Sequence, residues 1–153
     1  MPRTDRASRW MDASVSRVFS ALVDHEALET WLPPSDMTGR FEWFDPTPGG
    51  SYRLVLTYAD PSASPGKSTA ESDVVDVRFL EIVPNDRVVQ AVDFVADASE
   101  FAGTMTMTWT VQADAGGTRV EIVADDVPEG ISAEDHAAGL ASSLENLARF
   151  VES

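Results

Sequence analysis

The 153-residue chain has no cysteine. That excludes disulfides, thiolate metal sites, iron–sulfur ligation and a cysteine nucleophile. Lysine occurs once, at Lys67, beside ten arginines, and histidine occurs twice, at His25 and His136. Bases are scarce overall: 11 Lys and Arg against 26 Asp and Glu, a formal net charge of −15. A surface of that sign repels phosphate backbones and anionic lipid headgroups, so nucleic-acid binding through a basic patch is excluded. The acids are spread along the chain rather than gathered in a tail, and they read as a solvated surface. No apolar run approaches the ~18 residues that mark a membrane-spanning helix. The segment from Met1 to Trp10 holds three arginines and no apolar stretch, so no secretory signal fits there and a cytoplasmic location is expected. Neither a G-x-S-x-G elbow nor a Walker-type glycine loop occurs, and Gly49-Gly50 reads as a turn.

What is present is an ample apolar complement, 43% of the chain, too much for a disordered acidic segment. The length matches one domain with one core, residues 1–153, which needs no covalent staples. Residues 8–13 read as a short strand. Ser14 then stands where a hydroxyl can cap a helix, and Val15, Val18, Phe19 and Leu22 recur at i, i+3, i+4 and i+7. Asp24 can cap a second short helix carrying Leu28, Trp31 and Leu32. Pro33-Pro34 stops it, because neither proline donates an amide.

From residue 39 the apolar period changes to two. Phe41–Phe44 lie in a strand, Pro48-Gly49-Gly50 mark a turn, and Tyr52, Leu54, Leu56 and Tyr58 alternate with Arg53, Val55 and Thr57. Residues 60–68 read as a polar hairpin tip, 71–83 as a long strand ended by Pro84-Asn85-Asp86, and 87–95 as another. The cleanest alternation runs over 101–111. Phe101, Gly103, Met105, Met107, Trp109 and Val111 share one face, and Thr104, Thr106, Thr108 and Thr110 the other. Ala115-Gly116-Gly117 is a tight turn before a last strand with Thr118, Val120 and Ile122. Ser132-Ala133-Glu134-Asp135 has capping-box form ahead of a helix of about 20 residues, roughly 30 Å long. His136, Leu140, Leu144, Leu147 and Val151 form its stripe, and Ala137, Gly139, Ala141 and Ala148 are small enough for close packing. The order implies an α+β fold: an antiparallel, curved sheet of six to seven strands, two short helices after the first strand, and one long helix across a face. A hollow between such a sheet and its helix is a natural ligand site.

Five segments carry a family resemblance. They are Val15–Asp24 with Ala27-Leu28 and Trp31–Pro34; Phe44–Arg53; Leu80–Val89; Glu129–Gly139; and Ser142–Leu147. In this order and spacing, from about residue 9 to 152, they resemble the activator of heat-shock-protein-90 ATPase homologue family of the START-like or SRPBCC superfamily. The resemblance implies the helix-grip fold shared with the birch pollen allergen and polyketide cyclases, and a hydrophobic cavity beneath the C-terminal helix. It implies no single chemistry. Members often carry tryptophan after the helix glycine, whereas Leu140 follows Gly139 here, and Glu71, Asp73 and Asp76 make one strand unusually acidic. The co-chaperone itself pairs this domain with a separate amino-terminal one, for which this chain has no length to spare.

The candidate ligand-binding set is Trp31, Tyr52, Leu54, Leu56, Tyr58, Phe79, Phe94, Met105, Met107, Trp109, His136, Leu140 and Leu144. Aromatic and methionine side chains adapt to apolar ligands, and tyrosine hydroxyls can orient a polar group. At inward strand positions the same residues also serve as plain core. His136 can donate to a ligand or act as acid or base, or simply bond to backbone or water at the sheet–helix boundary. Asp125, Asp126, Glu129, Glu134 and Asp135 offer oxygens but lack EF-hand order, and acids favour helix N-termini anyway. No metal, cofactor or catalytic residue is assigned. The leading reading is a binding protein for a hydrophobic, lipid-like or aromatic small molecule in a cavity between the sheet and the C-terminal helix. A polyketide cyclase- or aromatase-like enzyme and a chaperone-related or stress-response interaction module are the alternatives. Monomer and homodimer both stay open.

Overall fold

The computed structural model describes residues 3–33, 37–58, 72–94, 104–127 and 132–152. The elements are β1 (Asp5–Met11), α1 (Val15–Val23), α2 (His25–Trp31), β2 (Met37–Phe44), β3 (Ser51–Tyr58), β4 (Ser72–Val83), β5 (Arg87–Phe94), β6 (Thr104–Asp114), β7 (Gly117–Asp125) and α3 (Ala133–Glu152). The seven strands form one antiparallel sheet in the order β1-β7-β6-β5-β4-β3-β2. Six follow one another as a meander. β1 alone crosses over, pairing with β7 from Asp5↔Ala124 to Met11↔Thr118.

The caps set the helices where the sequence places them. Ser14 Oγ accepts from the Arg17 amide at 3.2 Å, and Asp24 Oδ2 accepts from the Ala27 amide at 2.9 Å. Each satisfies an amide that the first helical turn leaves without a partner. Val18, Phe19, Ala21 and Leu22 of α1 and Ala27, Leu28 and Trp31 of α2 are buried. Trp31 Nε1 donates to the Ala21 carbonyl at 2.9 Å, which locks α2 onto α1. At α3, Ser132 Oγ accepts from the Asp135 amide at 3.0 Å, and Leu140, Leu144, Leu147, Ala148 and Val151 are buried. Arg17 closes the other end of α3, donating to the carbonyls of Val151 (2.9 Å) and Phe150 (3.1 Å), where a cation suits the negative pole of the helix.

Three expectations need correction. The first strand begins at Asp5 rather than residue 8, because β7 supplies pairing partners from Asp125's neighbour Ala124 onward. Ala137, Gly139 and Ala141 are exposed, so of the small α3 residues only Ala148 serves close packing. Strand β6 extends to Asp114, three residues beyond the alternating run, because the hairpin with β7 stays in register up to Asp114↔Gly117. The turn there has two residues, Ala115 (φ 49°) and Gly116 (φ 81°), the left-handed pair that matches the twist of a tight hairpin. The polar tip at 60–68, the residues Phe101 and Gly103, and Glu129 lie outside the described residues.

The inner sheet face is built by Tyr52 and Leu54, Val77 and Phe79, Val88 and Val92, Met105, Trp109 and Val111, and Val120, Ile122 and Ala124, all buried. Thr104, Thr106, Thr108 and Thr110 lie on the outer face, as the alternation requires. Bulges at Phe41/Trp43 and Phe79/Glu81 shift the register. The first keeps both Phe41 and Phe44 against the core while Trp43 stays 45% exposed.

Candidate functional site

Aromatic residues gather where α2 meets the β2 end of the sheet. Phe41, Phe44, Tyr52 and Phe79 are in ring contact at centroid distances of 4.8–6.3 Å, and His25 caps the stack from α2 at 5.1 Å from Phe41. On the other flank, Trp31 meets Trp109 edge to face at 5.7 Å. Glu29 fastens α2 to the edge strand: its Oε2 accepts from the Phe41 amide at 3.2 Å.

Between these flanks is a recess lined by Leu22, Leu28, Trp31, Leu32, Tyr52, Val88, Gln90 and Trp109. Its volume is about 20 Å3, room for one water molecule. Seven of the eight side chains are apolar or aromatic, and none carries a charge. The polar exception is Gln90, buried on the inner face of β5 between Val88 and Val92. Tyr52 and Gln90 bring a phenol and a side-chain amide to the lining, and both are buried. Burial pushes the Tyr52 phenol well above its ordinary value of 10, and the neighbouring Gln90 amide offsets only part of this. Tyr52 is therefore a neutral donor across the physiological range.

Of the candidate set, the structure brings Trp31, Tyr52 and Trp109 to this recess. Leu54, Phe79 and Met105 are buried core residues, and Leu56 and Met107 are half-buried against that core. Leu140 and Leu144 are buried beneath α3 and do not reach the recess. Its roof is α1 and α2 rather than α3, whose main sheet partner is the edge strand β1. Tyr58 and Phe94 close β3 and β5, and their side chains lie outside the described residues. His136 does not face the recess. Its Nδ1 meets Asp5 Oδ2 at 2.7 Å, and Arg3 Nε donates to the same oxygen at 3.2 Å. Burial raises the Asp5 carboxyl, but the His136 and Arg3 hydrogen bonds and their charges together hold it below the ordinary 3.8.

Leu22, Leu28, Leu32, Val88 and Gln90 are the lining residues that the sequence reading missed as a site. The leucines look like any amphipathic stripe. Gln90 did carry a signal: it interrupts the inward series Val88, Gln90, Val92 with a group that must find a buried partner. Among the described residues no three acids or histidines gather as a metal site. Asp125 instead accepts from Thr4 Oγ1 at 2.7 Å.

A family model described as activator of Hsp90 ATPase homolog 1-like protein matches residues 12–152. No curated protein matches the chain. Among solved structures, protein CV1439 from Chromobacterium violaceum is 30% identical, with 98% of this chain and 97% of that one covered at a TM-score of 0.85. A protein from Arthrobacter aurescens is 20% identical, with 97% of this chain and 85% of that one covered at a TM-score of 0.76. DynU16, from the dynemicin biosynthetic locus, is 21% identical at a TM-score of 0.71. It aligns with 98% of this chain, which spans 47% of its own length. At these two lower identities the likeness is one of fold. The family match runs from the loop after β1 to the last residue of α3, over the helix-grip architecture described above, and the chain belongs to the activator of Hsp90 ATPase homolog 1-like family of START-like, or SRPBCC, proteins.

Proposed function

We propose that this chain is a binding protein for a small, largely apolar molecule, taken up in the recess between α2 and the middle of the sheet. One observation carries the reading. Tyr52 and Gln90 place a phenol and an amide together in a wall otherwise made of leucine, valine and tryptophan. Ligand pockets have this composition: apolar walls with a few polar groups that fix orientation. The helix-grip fold, known for hosting ligands, supports the same reading. At about 20 Å3 the recess has room for one water, so a larger ligand enters as α2 lifts from the sheet. Residues 1–153 act as one domain in this account, located in the cytoplasm.

A cyclase- or aromatase-like enzyme requires at least two ionisable groups converging on the ligand. Tyr52 is the one ionisable group among the eight lining residues, and burial holds it neutral. An interaction module requires a broad apolar patch. Among the described residues the exposed large apolar side chains, Trp10, Trp43 and Leu80, lie on three different strands, β1, β2 and β4.

Intrinsic fluorescence tests the proposal directly, because Trp31 and Trp109 line the recess. In a Trp10→Phe/Trp43→Phe background they are the remaining reporters. Titration with naphthalene derivatives should change their emission saturably below millimolar concentration. Filling the recess by Val88→Phe should abolish the change. A linear, unsaturable response for every probe defeats the reading.

A further inference from the structure

We propose that the recess selects an uncharged ligand that carries one hydrogen-bonding oxygen or amide group on an apolar body, and rejects carboxylates of the same shape. This inference rests on the binding reading above and adds the chemical class of the ligand.

The argument starts from the lining. None of the eight side chains around the recess is Arg, Lys or His, and none is Asp or Glu. A carboxylate brought there would lose its hydration and gain only neutral dipoles in return, and an unpaired buried anion is among the most costly groups to place. The site's own phenol makes the same point, since burial keeps Tyr52 from ionising. The basic side chains of α1 and α2 are engaged elsewhere. Arg17 is bound to the carbonyls of Val151 and Phe150, and His25 lies on the outer flank, 3.4 Å from Glu29.

A neutral polar group meets the opposite situation. Tyr52 offers one O–H donor, and Gln90 offers a carbonyl acceptor and an N–H2 donor. Both side chains line the same recess. A ligand carbonyl can accept from Tyr52 or the Gln90 amide, and a hydroxyl or amide can satisfy both partners. Such a ligand leaves no buried donor or acceptor unsatisfied, the condition under which a polar contact costs little. A fully apolar ligand gains nothing from either group. A fatty acid, placed with its headgroup inward, meets no counter-charge.

The test uses the full chain with Trp10 and Trp43 replaced by phenylalanine, and three probes of one ring size: 2-naphthamide, 2-naphthoate and naphthalene. At about pH 7 the amide should bind about tenfold or more tightly than the carboxylate, and more tightly than naphthalene. The difference should persist in about 0.5 M sodium chloride, where the Debye length falls to about 4 Å. Equal or tighter binding of 2-naphthoate overturns the selection while leaving the binding reading in place. A preference that disappears in salt reflects the long-range field of a −15 chain and overturns the recess as its source. If none of the three probes binds, the binding reading itself falls. In a Tyr52→Phe/Gln90→Leu double variant both polar partners are gone together. It should hold naphthalene and lose the advantage of the amide. The wild-type comparison stands without the variant should that pair prove necessary for folding.

Discussion

Single residues decide the fine balance of this molecule. Ala115 adopts φ 49° in the two-residue turn between β6 and β7, a conformation that costs a residue with a Cβ about 1 kcal/mol. Ala115→Gly should therefore stabilise the protein by somewhat less than that, about 0.5 kcal/mol after the extra freedom glycine gives the unfolded chain. Urea unfolding at neutral pH would show it as a higher midpoint with an unchanged slope. Asp5 is a second case. Its folded value lies below 3.8, so the stability it adds is complete above that value and is lost as pH falls through the lowered one. Asp5→Asn should cost about 1–2 kcal/mol at neutral pH. It should also flatten the loss of stability of the parent protein below about pH 4. Unfolding midpoints across the acid range check both. The cap residues Ser14, Asp24 and Ser132 were legible in the sequence because capping chemistry is local. His136 was legible as a boundary histidine but not its partner, because Asp5 stands 131 positions away and no local pattern joins them.

At the scale of elements, the order of strands and helices was readable, since period two and period 3.6 are distinct signals. How the helices dock was not. The stripe on α3 predicts burial of Leu140, Leu144, Leu147 and Val151, and these are buried, but a stripe does not say which strands it meets. It meets β1 at one edge of the sheet, while α2 meets β2 at the other and α1 lies over β6 and β7, so the recess forms beneath α1 and α2. The sheet is open, with β1 and β2 as its edges. On β1, Arg9 pairs with the fully buried Val120 and so belongs to the inner-facing set with Ala7 and Met11, yet it is exposed. A charge pointing inward on an edge strand discourages another strand from adding there. Arg9→Val should remove that protection. Size-exclusion chromatography at rising concentration is expected to show self-association of the variant where the parent elutes unchanged.

The whole molecule carries its excess of acid on a framework with few cations to spare. Arg3, Arg53, Arg87, Arg119 and Arg149 each already pair with a carboxylate, and Arg17 with two carbonyls. Remaining acids repel one another in the compact state. Sodium chloride at about 0.5 M should raise the thermal midpoint by a few degrees through screening. A midpoint that does not move would mean that the surface acids are far enough apart, or well enough paired, to be neutral to folding. Sodium sulfate is the wrong salt for this measurement, because it also strengthens apolar burial.

β1 makes its only sheet contacts with β7, and Thr4 reaches Asp125 across 121 positions. A nascent chain leaving the ribosome therefore carries its first strand unsatisfied until almost the whole meander has been synthesised. Closing so distant a pair delays the productive collision, and during that interval an unpaired strand is open to chaperones and to aggregation alike. This architecture makes biogenesis vectorially incomplete until late, and a ribosome stalled before Gly117 would hold a product with no way to finish its sheet.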